Sequence, residues 1–262
     1  MNSNRTQVES PGRIHVARIL CVVFAALLVG CAGGVPSIPN DPEEILSKGD
    51  QYHKRKKYLQ SQALYKAFLT RYPGHDRSDY AQFMVAESYY GDEEYALAAV
   101  EYQILVTNYG YSEYVDDGYF KQALCNYKQA PKPHLDQTKT YEALSQLQQF
   151  VQVFTRSPIL PEAQKYIQKI HERLAKKELS NATFYYDSKR YPSALIYLNK
   201  IIDDYPDNSH WVGAMYLKAK ILTERGENED EAIELLRRVM EYPEDLDVKK
   251  RADLLLQQLG RG

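Results

Sequence analysis

The chain has 262 residues, 44% of them hydrophobic, which is enough for a large core or a stacked array. Its formal net charge of -2 argues against a general nucleic-acid binder. Its 3 Cys (Cys21, Cys31, Cys125) cannot supply a disulfide framework, because two of them lie in the first segment.

That first segment reads as a secretory signal. Arg5, Arg13 and Arg18 stand against a single acid, Glu9, and Ile19–Gly30 is a short apolar run that ends Leu28-Val29-Gly30-Cys31. A membrane-spanning helix needs about 20 apolar residues, and this run is shorter. The Leu-Val-Gly-Cys ending resembles the bacterial lipobox. By that resemblance residues 1–30 are removed and Cys31 is acylated as the first mature residue. An ordinary signal with an unrelated Cys, or a short membrane anchor, is the competing reading. Each buried CH₂ of an acyl chain contributes about 0.8 kcal/mol, so several chains anchor a protein stably. Ala32 after the Cys, in place of Asp, is compatible with the outer membrane. Residues 31–42, rich in Gly, Pro and Ser, read as a lipidated tether without helical pattern.

From Asp41 the pattern is helical. Asp41-Pro42-Glu43-Glu44 combines a cap, a Pro suited to the first turn, and acids at the positive helix end. The first helix is expected to reach about Tyr52. The basic turn 53–57 (His-Lys-Arg-Lys-Lys) is a solvated loop or a contact with lipid headgroups. The second helix spans about 58–71 and stops at Pro73. Tyr58–Pro73 has a frame that returns at Tyr95–Gly110 and Tyr191–Pro206, with the closing Tyr fourteen residues after the opening one. Such self-similarity marks a repeat architecture.

Gly49, Tyr52, Tyr58, Ser61, Tyr65 and Pro73 stand where tetratricopeptide repeats place small, aromatic, aromatic, small, aromatic and Pro residues. Small residues let two helices approach, and aromatics fill the angle between neighbouring pairs. The second pair repeats the scheme with Ala86, Tyr89, Tyr95, Ala98 and Tyr102. The third, about 114–129 and 137–155, has Ala123 and Ala143 as small contacts and a Pro-rich insertion at 130–137. The fourth begins near Pro161 with a helix running to about Ser188, and carries Ala182, Tyr185, Tyr191, Ala194 and Leu198. The fifth, about 209–225 and 228–241, has Ala219 and Ala232. A last helix, about 247–259, would cover the end of the stack. Second helices starting near 58, 95, 140, 191 and 228 imply repeats slightly longer than the usual ~34 residues. The expected fold is all-α: a right-handed superhelical solenoid of about five helix pairs plus a C-terminal capping helix over residues 43–262. Its N-terminal half would span about 43–156 and its C-terminal half about 157–262.

Motifs that carry chemistry are missing. His171-Glu172 opens like a zinc-protease helix, but Ala175 occupies the second ligand position. The six His show no ligand spacing, no phosphate-binding or nucleophile loop occurs, and Cys125 reads as a small buried hydrophobe. No cofactor and no enzymatic activity are expected. In tetratricopeptide arrays the first helix of each pair lines the concave face. That geometry puts Glu43, Leu46, Asp50 and His53 of the first pair, and Tyr80, Phe83, Glu87 and Tyr90 of the second, on the groove side. Leu46, Asp50, Tyr80, Phe83, Glu87 and Tyr90 are therefore expected to bind an extended peptide, the aromatics stacking on its side chains. Burial of Tyr80 and Phe83 against a neighbouring helix is the competing expectation.

A lipobox, a tether and five such pairs together resemble the BamD family (YfiO, or ComL in some bacteria), lipoproteins of the outer-membrane β-barrel assembly machinery. The residues that carry the likeness are Leu28–Cys31, Arg71-Tyr72-Pro73, Ser88-Tyr89-Tyr90, Arg173-Leu174-Ala175-Lys176, Phe184-Tyr185-Tyr186 and Asp204-Tyr205-Pro206-Asp207. The resemblance implies a non-enzymatic periplasmic scaffold on the inner leaflet of the outer membrane. It implies that the N-terminal half recognises unfolded barrel proteins through their aromatic C-terminal strand. The C-terminal half would dock on the BamA-like, barrel-forming subunit, with other assembly lipoproteins as possible partners. The long basic stretch before the signal and the insertion 130–137 depart from the family pattern. A lipoprotein scaffold for cell division or peptidoglycan coordination would share the anchor and the repeats.

Overall fold

The computed structural model describes residues 36–206, 208–242 and 246–260. Cys31, the signal segment and Asp207 lie outside the described residues. Within them every regular element is a helix: α1 (Pro42–Lys54), α2 (Tyr58–Arg71), α3 (Ser78–Gly91), α4 (Tyr95–Asn108), α5 (Val115–Gln129), α6 (Thr138–Val153), α7 (Leu160–Asp187), α8 (Tyr191–Asp204), α9 (Trp211–Arg225), α10 (Glu229–Glu241) and α11 (Leu246–Gln258). The helices pack chiefly on their neighbours in sequence, and α9 also meets α7 and α11. This is the quasi-one-dimensional packing of a repeat solenoid, with five helix pairs and a terminal cap.

Local chemistry explains the boundaries. Asp41 caps α1 by accepting from the Glu44 N–H at 2.8 Å, Pro42 opens the helix, and His53 and Lys54 occupy its last turn. Tyr72 leaves the helical region one residue before Pro73, which ends α2. Turns inside four of the five pairs share one device, the insertion of the third pair being the exception. Lys56, Glu93 and Lys189 all take positive φ, each two residues before the Tyr that opens the next helix. In each turn the next N–H reaches back to a carbonyl five residues earlier: Lys57 to Tyr52 at 2.9 Å, Glu94 to Tyr89 at 3.0 Å, Arg190 to Tyr185 at 2.9 Å. This is the bonding of a Schellman turn, built here on side-chain-bearing residues. In the fifth pair a Gly, Gly226, holds the same place.

The small residues set the spacing. A Cβ on Gly49 would stand 2.7 Å from the Tyr65 ring, and one on Gly91 2.5 Å from the Tyr58 ring. Ser61 Oγ donates to the Gly49 carbonyl at 3.1 Å, bonding α1 to α2 across their closest approach. Behind these contacts run three main apolar clusters. One is built on Ile45, Leu64, Tyr65 and Phe68, a long one runs from Phe120 to Ile221, and a terminal one joins Val212, Leu236 and Leu256.

The end of the tether is held against the first pair. Ile38 packs on the N-terminal cluster, Arg71 donates to the Pro39 carbonyl at 2.7 Å, and the Tyr72 hydroxyl donates to the Asn40 carbonyl. The insertion 130–137 is a loop fastened to α7. Gln137 is buried and its amide donates to the carbonyls of Lys132 and Leu135 at 2.9 and 3.1 Å. Its carbonyl oxygen accepts from Arg173 Nε at 3.2 Å, and a second Arg173 nitrogen reaches the Ala130 carbonyl, also at 3.2 Å.

Candidate peptide-binding surface

The six residues expected to meet a peptide divide into three groups. Leu46 is a correction: at 1% exposure it belongs to the core. Ile45, Leu46 and Gly49 form one continuous buried face of α1, and residue 46 falls on the inner side of that face. Asp50 and Glu87 are engaged by the protein's own tyrosines. Tyr80, Phe83 and Tyr90 are half-buried, so neither full exposure nor full burial describes them.

Asp50 on α1 ties three helices together. Its Oδ1 accepts from Tyr65 of α2 at 2.5 Å and from Tyr80 of α3 at 2.7 Å. Burial, reinforced by the Asp50 carboxylate, raises the pKa of both phenols: a buried phenolate beside an anion is disfavoured twice. Glu87 is the counterpart of Asp50 in the following repeat. It accepts from the buried Tyr102 and pairs with Lys121 of α5 at 3.0 Å. Of the other two residues expected on this side, Glu43 pairs with Arg77 at 3.0 Å, and His53 Nδ1 lies 3.1 Å from Ser88 Oγ. Burial lowers the His53 pKa.

With the Tyr80 hydroxyl held by Asp50, the aromatics form a ladder. Phe83 stacks on Tyr114 with centroids 4.9 Å apart, and Tyr114 also meets Tyr80 at 5.8 Å. Arg77 lies 4.8 Å from the Tyr80 ring centre and Lys121 4.8 Å from that of Tyr90, which meets Tyr95 edge-on. Tyr114 and Lys121 fall outside the set of site residues expected from the sequence. Tyr114 sits in the turn just before α5, where a concave-face rule confined to helix positions does not look. Such a surface offers fixed π faces, with the two cations beside them already paired with Glu43 and Glu87, which suits aromatic and apolar side chains of an extended chain. Among the described residues no three His, Cys, Asp or Glu side chains converge as a metal site. Cys125 is buried, and burial pushes its thiol up to about 12.

Comparison with known proteins agrees with this architecture. A tetratricopeptide-repeat protein from Bacteroides fragilis superposes with a TM-score of 0.51 at 12% identity, over 84% of this chain and 100% of that one. The outer membrane protein assembly factor BamD of Caulobacter vibrioides is 23% identical over 217 residues, 81% of this chain and 71% of its own. The protein of the same name from Rickettsia prowazekii is 22% identical over 202 residues, 74% of this chain and 80% of its own. The YfiO family, described as outer membrane lipoprotein, matches residues 39–235, most of the solenoid from the tether's end into α10. The chain belongs to the YfiO family of outer membrane lipoproteins.

Proposed function

We propose that this protein is a lipid-anchored scaffold of outer-membrane protein assembly that works by holding other chains rather than by transforming them. Cys31 carries the lipid, and the solenoid lies on the periplasmic face of the outer membrane. The N-terminal half grips the unfolded C-terminal segment of β-barrel proteins, and the C-terminal half docks on a BamA-like barrel subunit. Two named relatives, both BamD assembly factors, support the process. The ladder of Tyr80, Phe83 and Tyr114 carries the peptide-holding role, because three half-buried rings in contact leave aromatic faces open on an otherwise satisfied surface.

The test is photocrosslinking in cells from residue 83, with Phe83→Ser measured beside it for binding of a barrel protein's C-terminal peptide. The expected result is adducts to unfolded barrel proteins and loss of peptide binding in the variant. Thermal stability should fall only modestly, since the ring is half-exposed. Adducts to the barrel subunit alone, or collapse of the fold in Phe83→Ser, would remove this surface from the account.

A further inference from the structure

The insertion 130–137 and α7 together wall a pocket of about 370 Å³. Lys132, Pro133 and His134 line it from the loop; Lys176, Lys177, Ser180 and Asn181 line it from the helix. None of these side chains is acidic. Lys177 Nζ is held by the Leu135 carbonyl at 3.0 Å, while Lys132 and Lys176 are exposed and form no ion pair within the described residues. Of the neighbouring carboxylates, Glu178 accepts from Asn181 Nδ2 at 3.3 Å and is already paired with Lys200 at 2.8 Å, and Asp136 of the insertion accepts from the Thr138 hydroxyl at 3.1 Å. The walls are set in advance by the buried Gln137 and by Arg173, through their bonds to the insertion. Three lysines therefore line one pocket, and two of them form no ion pair among the described residues.

We infer that this pocket binds a phosphate group carried on a small organic body, such as a phosphomonoester or the headgroup of an anionic phospholipid. Three ammonium groups, a hydroxyl and an amide are point donors that can approach a tetrahedral oxyanion from several sides. A planar carboxylate is better served by an arginine fork, and the one guanidinium nearby, that of Arg173, is spent on Ala130 and Gln137. The volume exceeds that of a bare phosphate, and the lysine stems and Pro133 supply apolar wall for the rest of the ligand.

Calorimetric titration of the full mature chain tests this, with inorganic phosphate, glycerol 1-phosphate, and dihexanoyl phosphatidylglycerol or phosphatidylcholine below their micelle concentrations. Glycerol 1-phosphate is expected to bind more tightly than inorganic phosphate. The double variant Lys132→Glu, Lys176→Glu should weaken binding by about tenfold or more at unchanged melting temperature. Charge reversal at Lys54 and Lys56, at the end of α1 and in the basic turn after it, should have no effect. Binding of phosphatidylglycerol but not phosphatidylcholine would identify a lipid headgroup as the source; binding of the water-soluble phosphates alone would identify a free metabolite. The inference is overturned if none of these phosphates binds, or if a hexaglutamate peptide binds more tightly than glycerol 1-phosphate. It is also overturned if the double variant binds as the parent does.

Discussion

At the scale of single residues, the Asp50 hub shows how a carboxylate can organise a surface without presenting itself to a ligand. Two phenols share one of its oxygens, and both have raised pKa values for which burial is the first cause and Asp50 the second. The consequence for alkaline stability has a definite sign. Unfolded tyrosines release their protons near pH 10, whereas the folded ones must keep theirs. The contribution is therefore complete below about pH 10 and is lost as pH rises above it, at up to about 1.4 kcal/mol per pH unit for each proton retained. Urea unfolding at pH 9, 10 and 11 should show this decline, and Tyr65→Phe should make it shallower by about one proton's worth. An unchanged slope in that variant would mean that the hub does not hold the phenol's proton. A second residue-scale prediction concerns Gly49. The added methyl of Gly49→Ala would meet the Tyr65 ring at 2.7 Å, and the substitution should cost about 2 kcal/mol of overpacking. Gly74→Ala, with open space around it, should stay within about 0.5 kcal/mol.

At the scale of elements, the three turns built on Lys56, Glu93 and Lys189 carry a conformation that L-residues adopt at a cost of roughly 1 kcal/mol each. Gly226 supplies it in the fifth pair without that cost. Lys56→Gly and Lys189→Gly should therefore each raise unfolding stability by a few tenths to about 1 kcal/mol, read as a higher urea midpoint, after the added chain entropy of Gly is subtracted. A lower midpoint would show that the lysine stems contribute more than the strained backbone costs. These turns also mark the limit of what could be read from the sequence. Helix ends governed by one strong local rule were legible: Asp41-Pro42 at the start of α1, and Tyr72-Pro73 at the end of α2. The small residues named from the repeat scheme, from Gly49 and Ser61 through Ala86, Ala98 and Ala123 to Ala219 and Ala232, are all buried, because close helix approach admits nothing larger. Features set by contacts across the array were not legible. Leu46 shares a spacing with groove residues but is claimed by the neighbouring helix, and Tyr114 enters the aromatic ladder from a turn. Gln137 anchors the insertion through bonds that no local pattern announces.

At the scale of the molecule, stacking in series implies that damage at one end stays there. α11 covers the last pair with Val248, Ala252 and Leu256, all buried against a cluster that includes Leu222, Leu236 and Val239. The sole Trp, Trp211, sits in that terminal region. Its indole N–H donates to the Ile202 carbonyl at 3.1 Å, and its ring meets Tyr242 and Arg238. The ring also packs on the long cluster, so its fluorescence reports on the junction of the fourth and fifth pairs. Burial of a Val or Leu side chain stabilises by roughly 1.5–3 kcal/mol, and some of that is offset by the entropy of ordering the helix. Deleting residues 246–262 should thus cost the terminal pair about 3 kcal/mol and move the Trp211 transition to lower urea. The aromatic ladder of α3 and the turn before α5 lies several helices away and shares no cluster with α11, so peptide affinity there should be unchanged when measured well below the new transition. If peptide affinity fell in step with the Trp211 signal, the array would be unfolding as a single cooperative block. The two halves could not then be assigned separate partners on the strength of separate packing.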